Sequence, residues 1–209
     1  MTGIPAEAFE FYEHLDVDNS REFWIEHKSE YEQYVRDPLH ELAQSLEPDF
    51  GPAKLYRPYR DMRFSRDKTP YKDHQGCFFA ADNGLGWYLQ VSVHGLMVAG
   101  GWYSSSGPQV KRFREHITEA GAGDIRAALK GLPKAGFTID GEQLKSRPRG
   151  IDADHPDLDL LRHRTLHATK TWEPEAWMGT KRLRTTVHKS LDKLRPMVVT
   201  LAQIVGPPE

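Results

Sequence analysis

The apolar residues change their period in the middle of the chain, and that change limits the fold more than any other feature. Trp87, Leu89, Val91 and Val93 alternate with Tyr88, Gln90, Ser92 and His94, the period of a half-buried strand. Asn83-Gly84 before this run and His94-Gly95 after it are turn signals. Connections this short join antiparallel neighbours, because a parallel crossover needs a far longer segment. Residues 76–103 therefore read as an antiparallel meander of about three strands. Gly100-Gly101 near its end suggests a bulge or a close backbone approach.

Helical spacing flanks the meander on both sides. Ala8, Phe11, Tyr12 and Leu15 predict a short helix over 5–15. Asn19, three residues before Glu22, has the order of a capping box and opens a longer helix that would bury Phe23, Trp24, Tyr31, Val35, Leu42 and Leu46. Pro38 should kink or restart that helix, since it lacks a backbone donor. Ser106-Gly-Pro-Gln109 is a second capping arrangement, leading a helix that buries Val110, Phe113 and Ile117, and another helix is expected over 124–131. Extended candidates are 54–60, 76–81, a short piece near Phe137 and 165–171, with one or two helical turns at 156–163 and mostly loop over 133–155. At the end of the chain, Leu183, Val187, Leu191, Leu194, Val198, Leu201 and Val205 lay one apolar stripe along a terminal helix. The expected fold is one α+β domain over 1–209, a small antiparallel sheet packed with helices and a long amphipathic C-terminal helix.

The 209 residues can bury a sizeable core. No apolar run approaches the roughly 20 residues of a membrane span, and the N-terminus lacks the regions of a signal peptide, so the expected partners exclude a membrane and the expected location is cytoplasmic. The single cysteine, Cys77, can form no internal disulfide and reads as a small buried apolar group. The formal net charge of -2 conceals an asymmetry. Residues 1–50 carry 3 Lys and Arg against 13 Asp and Glu, whereas residues 54–73 carry 7 against 3. A broad electrostatic grip on nucleic acid is disfavoured by this balance, and a local anion pocket is not.

The segment Arg57 to Lys72 crowds six cations and two carboxylates together. Arginine dominates it, and the planar guanidinium fork suits carboxylate or phosphate. Arg57, Arg60, Arg63 and Arg66 recur every third residue, so an extended chain would send them to opposite faces unless it turns near Phe64-Ser65. Asp61 and Asp67 would orient the arginines, Lys68 and Lys72 would add charge, and Ser65, Thr69 and Tyr71 would give neutral hydrogen bonds. The competing reading is a set of internal Arg–Asp pairs that stabilise an irregular loop. A second segment, Leu144 to Pro156, offers Arg147 and Arg149, which could face the same anion from the opposite side. Its Asp152 and His155 are the candidate proton carriers, although residues this close in sequence more often cap the following helix. His155, His163 and His167 lack a recognised metal-ligand spacing, so no metal site is expected. No phosphate-binding glycine loop, Gly-x-Ser-x-Gly or dinucleotide fingerprint is present, and nothing in the sequence identifies a cofactor.

Several of these residues form a pattern. Asn19-Ser-Arg-Glu-Phe-Trp24, Tyr31, Pro38-Leu39, Gly100-Gly101, Leu144-x-x-x-Pro148-Arg149-Gly150, Asp154-His155-Pro156 and Leu160-Leu161-Arg162 accompany the core Arg60-Asp-x-Arg-Phe-Ser-x-Asp-Lys-x-Pro-Tyr-Lys72. Over nearly its whole length the chain resembles the bacterial and fungal domain of unknown function family 2461. It departs from the common pattern at Trp102-Tyr-Ser-Ser-Ser-Gly-Pro108, where members carry a second aromatic-glycine-proline sequence. The resemblance implies no activity, substrate or catalytic residue. The residues themselves lead to the expectation of binding, extended to enzymatic processing, of a phosphorylated or carboxylated small molecule, with the two arginine loops converging at the sheet edge. A nucleic-acid-associated module ranks behind it, as does a non-catalytic interaction domain whose basic loop docks an acidic surface, such as its own N-terminal helices in a homodimer.

Overall fold

The computed structural model describes residues 3–61 and 68–209. Its N-terminal part is helical: α1 (Glu7–Val17), α2 (Arg21–Glu30) and α3 (Asp37–Phe50), with a π-helical turn over Tyr31–Arg36 joining the last two. The cap of α2 is Ser20, whose Oγ accepts the Phe23 N–H at 3.1 Å, and not Asn19. Asn19 is drawn away by a longer-range partner, described below. Pro38 lies in the first turn of α3, so the helical path restarts there after the π turn, as expected. Its ring would clash with the carbonyl four residues back in a regular helix, but the preceding π turn changes the register, and the Asp37 N–H reaches the Glu32 carbonyl.

The extended segments form a six-stranded antiparallel sheet. Its strands are β1 (Ala53–Leu55), β2 (His74–Ala80), β3 (Leu85–Ser92), β4 (Gly95–Trp102), β5 (Thr138–Asp140) and β6 (Leu166–Trp172), in the order β1-β2-β3-β4-β6-β5. The meander is thus β2-β3-β4. Asn83 is the one non-glycine residue with positive φ among those described, and with Gly84 it makes the β2–β3 turn as the Asn-Gly pair requires. The strand expected over 54–60 stops at Leu55, and Tyr59 contributes only an isolated bridge to Tyr71. Pro58 explains the early stop, since it has no N–H to offer a ladder.

Four further helices complete the α+β fold: α4 (Gly107–Glu119), α5 (Gly123–Leu129), α6 (Leu158–Leu161) and α7 (Arg182–Val205). Both halves of the Ser106–Gln109 capping box are formed. The stripe on α7 from Leu183 to Val205 is buried, with Leu191 and Leu194 at 0% exposure, so it serves the core of the chain itself. Each such leucine contributes roughly 1.5–3 kcal/mol relative to an exposed position.

The chain divides into two compact units, the first Met1–Phe79, Tyr88–Val98 and Thr171–Ser190, the second Ala80–Trp87, Ala99–Lys170 and Leu191–Glu209. In the first, Phe11, Leu15, Leu42, Leu46 and Phe79 are among the fully buried side chains; in the second, Trp102 and Phe113 are, with ring centroids 5.6 Å apart. Cys77 belongs to the first unit, and burial pushes its thiol up to about 12. At neutral pH it should resist iodoacetamide in the folded protein and react only on unfolding, and Cys77→Ala should cost about 1 kcal/mol. Rapid alkylation of the native state would contradict the buried, protonated thiol.

Candidate anion-binding site

In the first unit, the Arg57–Lys72 segment is closed at its base. The Arg60 N–H donates to the Pro70 carbonyl at 2.9 Å and the Lys72 N–H to the Pro58 carbonyl at 2.8 Å. Tyr59 and Tyr71 thus face each other across an antiparallel bridge. Two anchors hold this base. The Asn19 carboxamide donates to the Tyr71 carbonyl at 3.1 Å and accepts the Tyr71 N–H at 3.0 Å. The Tyr71 ring, 5% exposed, stacks on Trp24 with centroids 4.2 Å apart and planes at 9°.

Arg60 is engaged inside this arrangement. Its Nε donates to the Tyr71 carbonyl at 3.0 Å and its Nη2 lies 3.5 Å from Asp73. The Lys72 ammonium sits 5.4 Å from the centre of the Tyr56 ring, and burial, followed by the charges of Arg57 and Arg60, lowers its pKa. Arg57, Asp61 and Lys68 are exposed. Arg63, Ser65 and Asp67 lie outside the described residues.

The second arginine segment belongs to the second unit, and its own hydrogen bonds shape it. Arg162 donates from Nε to the Leu144 carbonyl at 2.8 Å and from Nη2 to the Lys145 carbonyl at 3.1 Å. Further on, the Ile151 N–H reaches back to the Pro148 carbonyl, and Arg147 Nη1 donates to the Ile151 carbonyl. This turn leaves Arg149 exposed next to the buried Pro148. The Asp152 carboxylate accepts the Asp154 N–H at 3.1 Å, and His155 Nδ1 accepts the Asp157 N–H at 3.1 Å ahead of α6. Both candidate proton carriers thus brace the local backbone, and the Nδ1 lone pair of His155 is committed to the Asp157 N–H.

A groove of about 460 Å³ runs along α4 against this segment. Val110, Phe113 and Ile117 fill the buried side of α4, whereas Lys111, Arg114, Glu115 and Thr118, spaced three or four residues apart, line the groove. Arg149 and Arg164 line it as well, and Val110, Pro148 and Ile151 supply apolar wall.

The four cations are not equivalent. Lys111 pairs with Glu115 at 3.5 Å, and Arg164 with Glu142 at 2.7 Å. Arg114 donates from Nε to the Leu161 carbonyl at 3.0 Å, but its buried Nη2 has no hydrogen-bond partner among the described residues. Burial, reinforced by the charge of Arg164, lowers its pKa, yet an arginine stays charged at neutral pH. Arg149 likewise makes no ion pair among the described residues.

Of the expected ligand-binding residues, the groove thus contains Arg149, and it adds Lys111, Arg114 and Arg164. The spacing Lys111-x-x-Arg114 was visible in the sequence, but a basic helix face next to Val110, Phe113 and Ile117 has the same pattern as an ordinary solvated one. His163 serves the framework: its Nδ1 donates to the Thr165 carbonyl at 2.8 Å and its Nε2 meets the Gln143 carboxamide at 3.0 Å. Burial lowers the pKa of His163 and of His167. Among the described residues, no group of three or more His, Cys, Asp or Glu side chains is placed to hold a metal ion. Nor is any described helix long and apolar enough to cross a membrane.

No curated protein and no solved structure matches the chain. One family model does, over residues 7–199, and it spans both the Arg57–Lys72 segment and the groove. The chain belongs to the family described as "Conserved hypothetical protein (DUF2461)".

Proposed function

We propose that the protein binds a phosphorylated or carboxylated small molecule in the groove between α4 and the Leu144–Pro156 segment, in the cytoplasm. One observation carries this reading: a buried guanidinium nitrogen of Arg114 without an acceptor among the described residues, on a side chain that lines a basic groove. A buried donor left unmade costs on the order of 1–3 kcal/mol, and more when charged, so an incoming anionic oxygen recovers what the fold leaves open. Arg149 would close over the ligand from the opposite wall.

Thermal melts with and without phosphate test this. The midpoint of the parent protein should rise with phosphate, since a ligand that binds only the native state stabilises it. Arg149→Ala should melt within about 1 °C of the parent without phosphate, because an exposed charge contributes little, and should lose most of the shift. Arg114→Leu should also lose it. An unchanged shift in both variants, or none in the parent, would remove the groove as the site. A nucleic-acid role would instead show as oligonucleotide affinity falling steeply with salt.

A further inference from the structure

The charge balance of the groove deepens this reading and rests on it. Two of its four cations are already neutralised, Lys111 by Glu115 and Arg164 by Glu142. Arg114 and Arg149 are the two left uncompensated by the described carboxylates. A monoanion matches one of them, whereas a dianion matches both. A phosphomonoester carries close to two charges at neutral pH and three terminal oxygens, enough to accept from two guanidinium forks at once. The groove is also too large for a bare tetrahedral anion: its volume of about 460 Å³ falls in the range of sites for whole organic ligands. Val110, Pro148 and Ile151 give it an apolar wall beside the charged one.

We infer that the ligand is an organic phosphomonoester with a partly apolar body, its phosphate held between Arg114 and Arg149 and its body against Val110, Pro148 and Ile151. A phosphodiester backbone, with one charge per phosphate, fits this balance less well. So does a simple carboxylate.

Calorimetric titration with four probes separates the possibilities: phenyl phosphate, phenyl sulfate, benzoate and inorganic phosphate. Phenyl phosphate should bind at least about tenfold more tightly than phenyl sulfate, which has the same shape and terminal oxygens but one charge fewer, because the second charge strengthens the hydrogen bonds from the two guanidiniums. It should also exceed inorganic phosphate, which lacks the apolar body. In Arg149→Ala the preference for phenyl phosphate over phenyl sulfate should largely disappear, while Ile151→Ala should narrow the gap between phenyl phosphate and inorganic phosphate. Equal affinities for phenyl phosphate, phenyl sulfate and benzoate would overturn the phosphomonoester assignment and leave an anion site in place. Inorganic phosphate binding as tightly as phenyl phosphate would overturn the organic body. No binding by any of the four would overturn the anion site itself.

Discussion

Gly95→Ala should destabilise the protein by about 4 kcal/mol or more, enough to leave a marginally stable domain largely unfolded at physiological temperature. Two independent penalties meet at this residue. Its φ is +104°, a region that L side chains rarely adopt, and a Cβ built there would stand 2.0 Å from the Trp172 carbonyl oxygen. The obstacle is backbone at the end of β6, so no side-chain rotation can relieve it. A control is provided by Gly123, where a Cβ would meet nothing within 4 Å and φ is ordinary. Gly123→Ala lies in α5 and should be neutral or stabilising by roughly 0.5 kcal/mol. Urea denaturation of both variants measures the difference. Similar midpoints for the two would show that the close approach of Gly95 to Trp172 does not hold in solution.

Gln75→Leu is expected to cost about 3 kcal/mol, although the side chains have similar volume. Gln75 is 1% exposed, which is unusual for a carboxamide. Its Oε1 accepts the Tyr31 hydroxyl, and its Nε2 donates to the Tyr56 carbonyl at 2.7 Å and the Gly76 carbonyl at 2.9 Å. The Gly76 carbonyl keeps the Tyr56 N–H as a second partner at 3.0 Å. The Tyr31 hydroxyl and the Tyr56 carbonyl would lose their Gln75 partner, at roughly 1–3 kcal/mol each. Burial already raises the pKa of Tyr31, so the phenol stays a donor in need of an acceptor. In a double-mutant cycle with Tyr31→Phe, which removes one of the stranded groups, the two costs should be less than additive. Full additivity, or a Gln75→Leu variant as stable as the parent, would mean that this network does not support the fold.

These two residues show how differently the sequence speaks of the molecule. His94-Gly95 is legible as a turn, because the special φ is a property of the residue and its neighbours. Its closeness to Trp172 is not legible, since it depends on strand order in the sheet. Gln75 gave no signal at all: its partner Tyr31 lies 44 residues away. Asn19 is similar. Its spacing to Glu22 suggests a cap, but Ser20 takes that role and Asn19 holds Tyr71, 52 residues along the chain.

The features legible before folding are local. The stripe from Leu183 to Val205, the alternation from Trp87 to Val93 and the Ser106–Gln109 box depend on the 3.6- and 2-residue periods and on contacts three or four residues apart, so they can be read before any fold is known. Which charges remain open depends instead on contacts distant in the chain. Arg60 and Arg149 are the same residue type in similarly basic segments, yet Arg60 meets the Tyr71 carbonyl and Asp73 while Arg149 meets no carboxylate among the described residues. Lys111, Arg114 and Arg164 form a groove with it because α4, the 144–156 segment and the turn before β6 come together there. The difference comes from range: a guanidinium is committed or available according to the few acceptors within about 4 Å of it, and chain neighbours supply only some of those.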